Sequence, residues 1–326
     1  MNALSVNNLK KDYLVSLRGE GVWGSVKGLF HRETKTVEAV KGISFEIGAG
    51  ELVAFLGPNG AGKTTTLKIL SGLLYPTSGS VNVFGYVPFE KKTEFLRRFS
   101  FVMGQRHQLW WELPALDTFR LNAAVFGLSN LQYKKRLEEL DSLLQLDPLW
   151  HTPIKKLSLG QRMKMELACS LIHEPELLLL DEPTIGLDVV MQKTLRDFIA
   201  RINVEKNTTV LLTSHNMEDI ESLCKRVIMI HNGGLLFDGD LSDLVRKFAP
   251  SKQVKAEMLE DVDEKTLERF GTLLHHDGPS VHWEMPREMV AKGVGDILNA
   301  LPVKDLTVES LPLEDVIRKV FQSGQV

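Results

Sequence analysis

The segment Gly57-Pro58-Asn59-Gly60-Ala61-Gly62-Lys63-Thr64, with Thr65 beside it, has the spacing GxxxxGK[ST]. Its glycines let the backbone curl so that successive N–H groups point inward, where they suit the oxygens of a phosphate chain. A helix opening at Lys63 adds the positive end of its dipole at the same place. Lys63 brings charge for the β and γ phosphates, and the Thr64 hydroxyl is a hard oxygen ligand for Mg²⁺. The chemistry implied is the binding of a nucleoside triphosphate with its metal. The loop alone does not say what the nucleotide drives, because many NTPases with unrelated tasks carry it.

A second set of residues narrows the reaction. Leu177-Leu178-Leu179-Leu180-Asp181-Glu182-Pro183 is an apolar run ending in two carboxylates. A buried strand of this kind delivers both acids to a sheet edge beside the phosphate loop. Asp181 then holds Mg²⁺ through water, and Glu182, one residue past the strand, accepts a proton from the attacking water.

Leu157-Ser158-Leu159-Gly160-Gln161-Arg162 opens a helical pattern running through Met165, Cys169 and Leu171. It resembles the LSGGQ signature of the ABC ATPases. The resemblance implies that Ser158, Gly160, Gln161 and the helix start contact the γ-phosphate held by an opposite subunit, so that ATP is sandwiched across a dimer. Leu159 stands where the family has its middle glycine, which leaves the serine hydroxyl and the close-approach glycine in place. Gln105, in Met103-Gly104-Gln105, is similar to the family's Q-loop and is expected to sense Mg²⁺ and the attacking water. Gly186-Leu187-Asp188 is similar to the D-loop, in which Asp188 links the two sites. His215 matches the switch histidine that contacts the γ-phosphate. The family stacks an aromatic ring on adenine, and Tyr13 in Leu9-Lys10-Lys11-Asp12-Tyr13 is the matching residue. Catalysis is thus expected from Glu182, His215 and Gln105, and metal ligation from Thr64, Gln105 and Asp181. Nucleotide contacts fall to Tyr13, residues 57–65, Ser158, Gly160, Gln161 and Asp188. The cofactors are ATP and Mg²⁺.

These residues need elements to hold them. Alternating apolar runs predict strands at Val37 to Ile47, Glu51 to Leu56, Val81 to Phe84, Phe101 to Gly104, Leu177 to Asp181, Thr208 to Ser214 and Val227 to His231. Helical patterns separate most of them, including Leu131 to Leu146 and Met191 to Ile202, which makes an α/β sheet layered by helices. By resemblance this is a P-loop NTPase of the ABC ATPase type, with a mixed sheet and a helical subdomain near 106–175. The ATPase domain is expected over 1–240, with a hairpin-like insertion near 14–36 that carries Arg18, Lys27, Arg32 and Lys35 among Val22, Trp23, Val26, Leu29 and Phe30. From 241 to 326 shorter pieces predict a small C-terminal accessory α+β domain. Its strands are near Val254 to Met258, Val281 to Glu284 and Leu306 to Glu309, and its helices near Glu264 to Phe270, Arg287 to Leu298 and Leu313 to Phe321.

Composition bounds the function class. In 326 residues, 43% apolar and 25% charged, a net charge of −3 gives no overall attraction to nucleic acid. The only two cysteines, Cys169 and Cys224, stand alone in apolar stretches and read as core thiols. No apolar run reaches the roughly 18 residues of a membrane span, and Met1 to Lys11 lacks a signal-peptide core. The chain is therefore expected in the cytoplasm, reaching a membrane only through partners.

Three tasks would fit such an ATPase: the motor subunit of a membrane transporter, a DNA-repair or chromosome ATPase, and a soluble translation or assembly factor. The second normally interrupts its head with a long coiled coil, which the sequence lacks. The third would carry two cassettes, whereas one phosphate loop is present, so transport is the expectation. The run from Asp305 to Val316 resembles the tail of ATPase subunits from ABC-2 type exporters. The segment Gln108-Leu109-Trp110-Trp111-Glu112-Leu113-Pro114 and the Leu157 to Gln161 variant look like the bacterial subgroup described as viologen exporters. That resemblance implies a homodimer of this chain with two different integral membrane permeases, peripheral on the cytoplasmic face of the bacterial inner membrane. Trp110 and Trp111 would form the docking surface for the permeases' coupling helices.

Overall fold

The computed structural model describes residues 2–16, 34–104 and 108–323, which divide into two compact units, Met1–Gly239 and Asp240–Val326. In the first unit the strands are β1 Asn2–Ser16, β2 Thr34–Gly48, β3 Leu52–Leu56, β4 Ser78–Val83, β5 Phe99–Met103, β6 Leu177–Asp181, β7 Thr209–Thr213, β8 Arg226–His231 and β9 Gly234–Asp240. Its longer helices are α1 Lys63–Leu70, α2 Ala115–Phe126, α3 Asn130–Leu144, α4 Leu159–Ser170, α5 Val189–Lys206 and α6 Met217–Leu223.

Six strands form the central sheet in the order β5-β6-β7-β3-β8-β9. The pairs β5–β6, β6–β7, β7–β3 and β3–β8 are parallel. A strand in the middle of a parallel sheet is covered on both faces, which is why Leu177, Leu178, Leu179 and Leu180 form an unbroken apolar run and are all 0% exposed. The turn from β8 to β9 passes through Asn232 and Gly233, both at positive φ (49° and 82°), the geometry of a two-residue hairpin turn. The outer strand β9 thereby returns antiparallel, so the sheet is mixed.

A second, antiparallel sheet has the order β2-β1-β4. Its inward side chains Leu4, Val6, Leu9, Ile43, Phe45 and Ile47 share one core with Phe55, Leu67 and Leu70 around the phosphate loop. The length of β1 is hidden in the sequence by a break in alternation. Asn8 adopts a left-handed φ of 46°, and the register slips between Val6 and Leu9. Pairing of β1 with β2 continues out to Ser16↔Thr34. The rest of the expected insertion, including Arg18, Trp23, Lys27 and Arg32, lies outside the described residues.

Between β5 and β6 come α2, α3 and α4. Helix α3 begins with a capping box, in which the Ser129 hydroxyl accepts from the Gln132 N–H and the Gln132 side chain accepts from the Ser129 N–H. Helix α2 ends at Gly127, whose φ of 73° provides the left-handed stop.

The second unit has a four-stranded antiparallel sheet in the order β11-β12-β10-β13. Its strands are β10 Ser251–Met258, β11 Thr272–Asp277, β12 Ser280–Pro286 and β13 Val303–Ser310, with helices α7 Leu241–Phe248, α8 Val290–Ala300 and α9 Leu313–Ser323. Trp283 is 0% exposed at the centre of its core, and its indole N–H donates to the Leu267 carbonyl at 2.9 Å. Among the described residues no helix is long and apolar enough to cross a membrane.

Candidate functional site

A cavity of about 640 Å³ opens at the carboxyl end of β3 and β6, where ligands collect in parallel α/β sheets. Strand β3 ends at Leu56 and the chain turns at once into α1 through residues 57–62. The turn is tight enough to demand glycine. Gly62 has φ 106°, and a Cβ there would lie 2.5 Å from the Ala39 carbonyl oxygen. Gly57 is crowded in the same way, with the Ile230 carbonyl oxygen 2.5 Å from where a Cβ would stand.

Lys63 opens α1 with its side chain folded back over the loop. It is 8% exposed and its ammonium donates to the Gly57 carbonyl at 2.5 Å. Burial pulls its pKa below the usual lysine value, while Glu182 and then Asp181 act in the opposite direction. A desolvated ammonium whose bonds run to backbone carbonyls is poised to exchange them for a charged oxygen entering the cavity.

The carboxylates arrive on β6. Asp181 accepts from the Thr64 hydroxyl at 3.0 Å and from the Thr213 hydroxyl at 2.8 Å, so α1, β6 and β7 meet on one side chain. Glu182 follows in a left-handed backbone conformation, φ 55°, which is strained for a residue with a Cβ. Its N–H is fixed by both the carbonyl oxygen (3.1 Å) and the hydroxyl (3.0 Å) of Thr213. The neighbouring strand permits this because position 104 is glycine: a Cβ there would lie 2.2 Å from the Glu182 carbonyl oxygen. The strain aims the carboxylate at His215. Glu182 Oε2 accepts from the His215 backbone N–H at 3.1 Å, and Oε1 lies 3.3 Å from His215 Nε2. Oε1 is buried and has no hydrogen-bond partner among the described residues. Burial raises the Glu182 pKa above the ordinary carboxylate range, against the pull of His215 and Lys63. A carboxylate held in this way is suited to take a proton from water.

His215 is positioned by a buried polar cluster that the sequence did not reveal. Asp219, 1% exposed, accepts from the hydroxyls of Thr184 (2.5 Å) and Ser214 (2.8 Å) and from the Arg196 guanidinium (3.0 Å). One carboxylate thus ties the loop after Glu182, the end of β7 and helix α5 together. Removing one partner of such a buried ion pair leaves the other uncompensated, so the cluster is costly to break.

The expected site residues separate into two places. Pro58, Asn59, Gly60, Gly62, Lys63, Thr64, Thr65, Asp181, Glu182 and His215 line the cavity. Gly57 and Ala61 complete the loop without lining it. Ser158, Gly160, Gln161 and Asp188 do not line it and gather at the starts of α4 and α5. Ser158 caps α4 through a capping box with Gln161 (3.2 Å and 3.0 Å), and Asp188 caps α5 by accepting from Met191 N–H at 2.9 Å. Gly160 lets the two helix starts approach, since a Cβ there would lie 2.9 Å from Met191 Cγ. Leu159 Cδ2 comes within 3.1 Å of where a Gly186 Cβ would stand, so the residue that departs from the signature lies against Gly186. Gln105 lies outside the described residues.

Tyr13 does not line the cavity. It is 37% exposed on β1 and pairs with Val37, two residues before the cavity-lining Ala39, where the register between the two strands shifts. Sequence reasoning also missed Lys68 and Ile185 in the lining. Lys68 was legible in principle, four residues after Thr64 and hence on the same face of α1.

Comparison with known proteins shows the family. A family model described as "ABC transporter" matches residues 40–185, and one described as "EvrA-like ABC transporter, C-terminal domain" matches residues 250–309. The chain is 35% identical over 215 residues to the ABC transporter ATP-binding protein NatA of Bacillus subtilis, covering 66% of this chain and 87% of that protein. It is 32% identical over 302 residues to the bacitracin transport ATP-binding protein BcrA of Bacillus licheniformis, covering 89% and 94%. Among solved structures it is similar to the dimeric, post-hydrolysis ATP-binding cassette MJ0796 bound to ADP and Pi, with a TM-score of 0.61 and 25% identity over 73% of this chain and 98% of that one.

Proposed function

This chain belongs to the ATP-binding proteins of ABC transporters, and from that premise we propose that two copies close over two ATP molecules to drive the permease subunits of an exporter. The chain binds and hydrolyses ATP as the subunit of such a system. The observation that carries the composite-site reading is the separation just described. Lys63, Thr64, Asp181, Glu182 and His215 converge on one cavity, whereas Ser158, Gly160 and Gln161 stand outside it at a helix start. A helix N-terminus with a small hydroxyl cap and a close-approach glycine is an anion-binding end, and in a two-fold dimer each copy offers that end to the other's cavity.

In this reading the loop 57–65 cradles the phosphates and Lys63 exchanges its carbonyl partners for phosphate oxygens. The Thr64 hydroxyl and the Asp181 carboxylate are both hard oxygen donors, 3.0 Å apart beside the cavity, and fit Mg²⁺ with Gln105 as a further ligand. Thr64 and Asp181 would hold Mg²⁺ there, and it would supply positive charge to offset that of the phosphates. Glu182 takes a proton from the attacking water, and His215, held against Glu182, senses the γ-phosphate. Tyr13 stacks on adenine from the β1 face, and Asp188 links the two sites. Hydrolysis then releases the closed dimer.

The finer assignments rest on resemblance. We assign 1–240 to the nucleotide-binding domain, with the insertion near 14–36 and a helical subdomain near 106–175, and 241–326 to an accessory domain. The system is of the ABC-2 type, near the viologen exporter-like subgroup, with two different permeases at the cytoplasmic face of the bacterial inner membrane. Support for permease docking comes from Trp110 and Trp111, which are 56% and 45% exposed. Sedimentation of Glu182→Gln at saturating Mg-ATP tests the closing step. A dimer that forms only with nucleotide is expected, and a monomer throughout would contradict it.

A further inference from the structure

Helix α4 carries a carboxylate that the hydrolytic reading does not use. Glu166 lies eight residues after Ser158, about 12 Å further along the same helix at 1.5 Å per residue. It is 3% exposed. Both of its oxygens accept the Gln108 backbone N–H, each at 3.0 Å, and Oε1 also lies 3.3 Å from the Leu109 N–H. One turn earlier on the same face, the Arg162 guanidinium lies 4.8 Å from the centre of the Trp111 ring. The chain that enters the signature is tied to the same segment, since Lys155 N–H donates to the Trp111 carbonyl and Ile154 N–H to the Leu113 carbonyl, both at 3.1 Å. The Gln108 side chain in turn donates to the Phe101 carbonyl on β5 at 2.5 Å.

We propose that Glu166 and Arg162 are positioning residues that latch the segment bearing Trp110 and Trp111 to α4, so that the nucleotide-facing start of that helix and the exposed tryptophans move as one body. The proposal rests on the reading that Ser158 to Gln161 meet ATP across a dimer. A carboxylate is a costly choice for a buried position, and its use here is explained by what it grips: two successive N–H groups of an irregular segment, which one charged acceptor holds more strongly than a neutral one. Burial pushes Glu166 up to about 7, and the N–H groups of Gln108 and Leu109 together with Arg162 are what oppose that rise. The titratable groups facing it are the Arg162 guanidinium and the neutral, buried thiol of Cys169, both on its own helix.

The test uses the full chain in the Glu182→Gln background. Amide exchange is read by mass spectrometry on peptides covering 108–113, with and without Mg-ATP, alongside sedimentation. ATP is expected to slow exchange there by about tenfold, the scale of one charge-assisted hydrogen bond. Adding Glu166→Gln should abolish this ATP-dependent difference while the dimer still forms. A purely structural role would shift the basal exchange and leave the difference intact. Arg162→Gln, a gentler change at a half-buried position, should weaken the same response and keeps the test valid if Glu166→Gln fails to fold. Persistence of the full response in both variants overturns the latch, as does a parent dimer that shows none. Failure of the parent to dimerise overturns the sandwich reading itself, a separate result.

Discussion

The Thr64 hydroxyl donates to the Asp181 carboxylate at 3.0 Å although 117 residues separate them in the chain. The bond joins the first turn of α1 to the last residue of β6, and it brings together two oxygens that Mg²⁺ would bind in its place. Thr64→Val keeps the shape and removes the hydroxyl. It is expected to weaken ATP binding about tenfold or more in the presence of Mg²⁺ and to leave binding in EDTA nearly unchanged. Titration calorimetry under the two conditions measures the difference, and an equal loss in both would show that Thr64 does not hold the metal.

Glu166 gives a pH dependence whose sign is fixed by its burial. Its folded pKa of about 7 lies above the ordinary 4.5, so between these values the folded chain holds more proton than the unfolded chain. The stability from this group is complete below pH 4.5 and is lost as pH rises through 7, a swing on the order of 3 kcal/mol. Glu166→Gln removes that component. The stability difference between wild type and Glu166→Gln, from urea unfolding across this range, should fall with rising pH and then level off. A difference independent of pH would contradict the assignment.

Tyr13 lies on β1 near the cavity without lining it. It stands opposite Val37, two residues from the cavity-lining Ala39 on the neighbouring strand. Tyr13→Ala should weaken ATP affinity by up to about tenfold, as expected for a lost aromatic stack, and Tyr13→Phe should retain it. Unchanged affinity in Tyr13→Ala would remove the stacking role.

What the sequence made legible was local. The phosphate loop, the carboxylate pair after Leu180 and the caps at Ser158 and Asp188 each depend on neighbours a few residues away, so spacing alone exposes them. Strand β6 was readable because burial on both faces leaves an unbroken apolar run. Strand β1 was not, because the shift at Asn8 breaks its alternation. Asp219 and Glu166 were missed for a related reason. Their partners, Thr184 and Arg196 in one case and the backbone of Gln108 and Leu109 in the other, are distant in sequence, and a lone acid on a helix ordinarily reads as a solvated face. The signal available at Glu166 was its setting among Met165, Leu167 and Ala168, each 0% exposed.

The central claim is that one working site takes its phosphate loop from one copy and its signature from another. Two inactive variants test it when mixed: Lys63→Ala, which lacks the loop's charge, and Ser158→Arg, which blocks the signature face. Each homodimer then has two broken sites, whereas a mixed dimer has one intact site. The account predicts no ATP turnover from either variant alone and roughly a quarter of the wild-type rate from an equal mixture, since half of randomly formed dimers are mixed and each has one good site of two. An inactive mixture, or full turnover by Ser158→Arg alone, would contradict it.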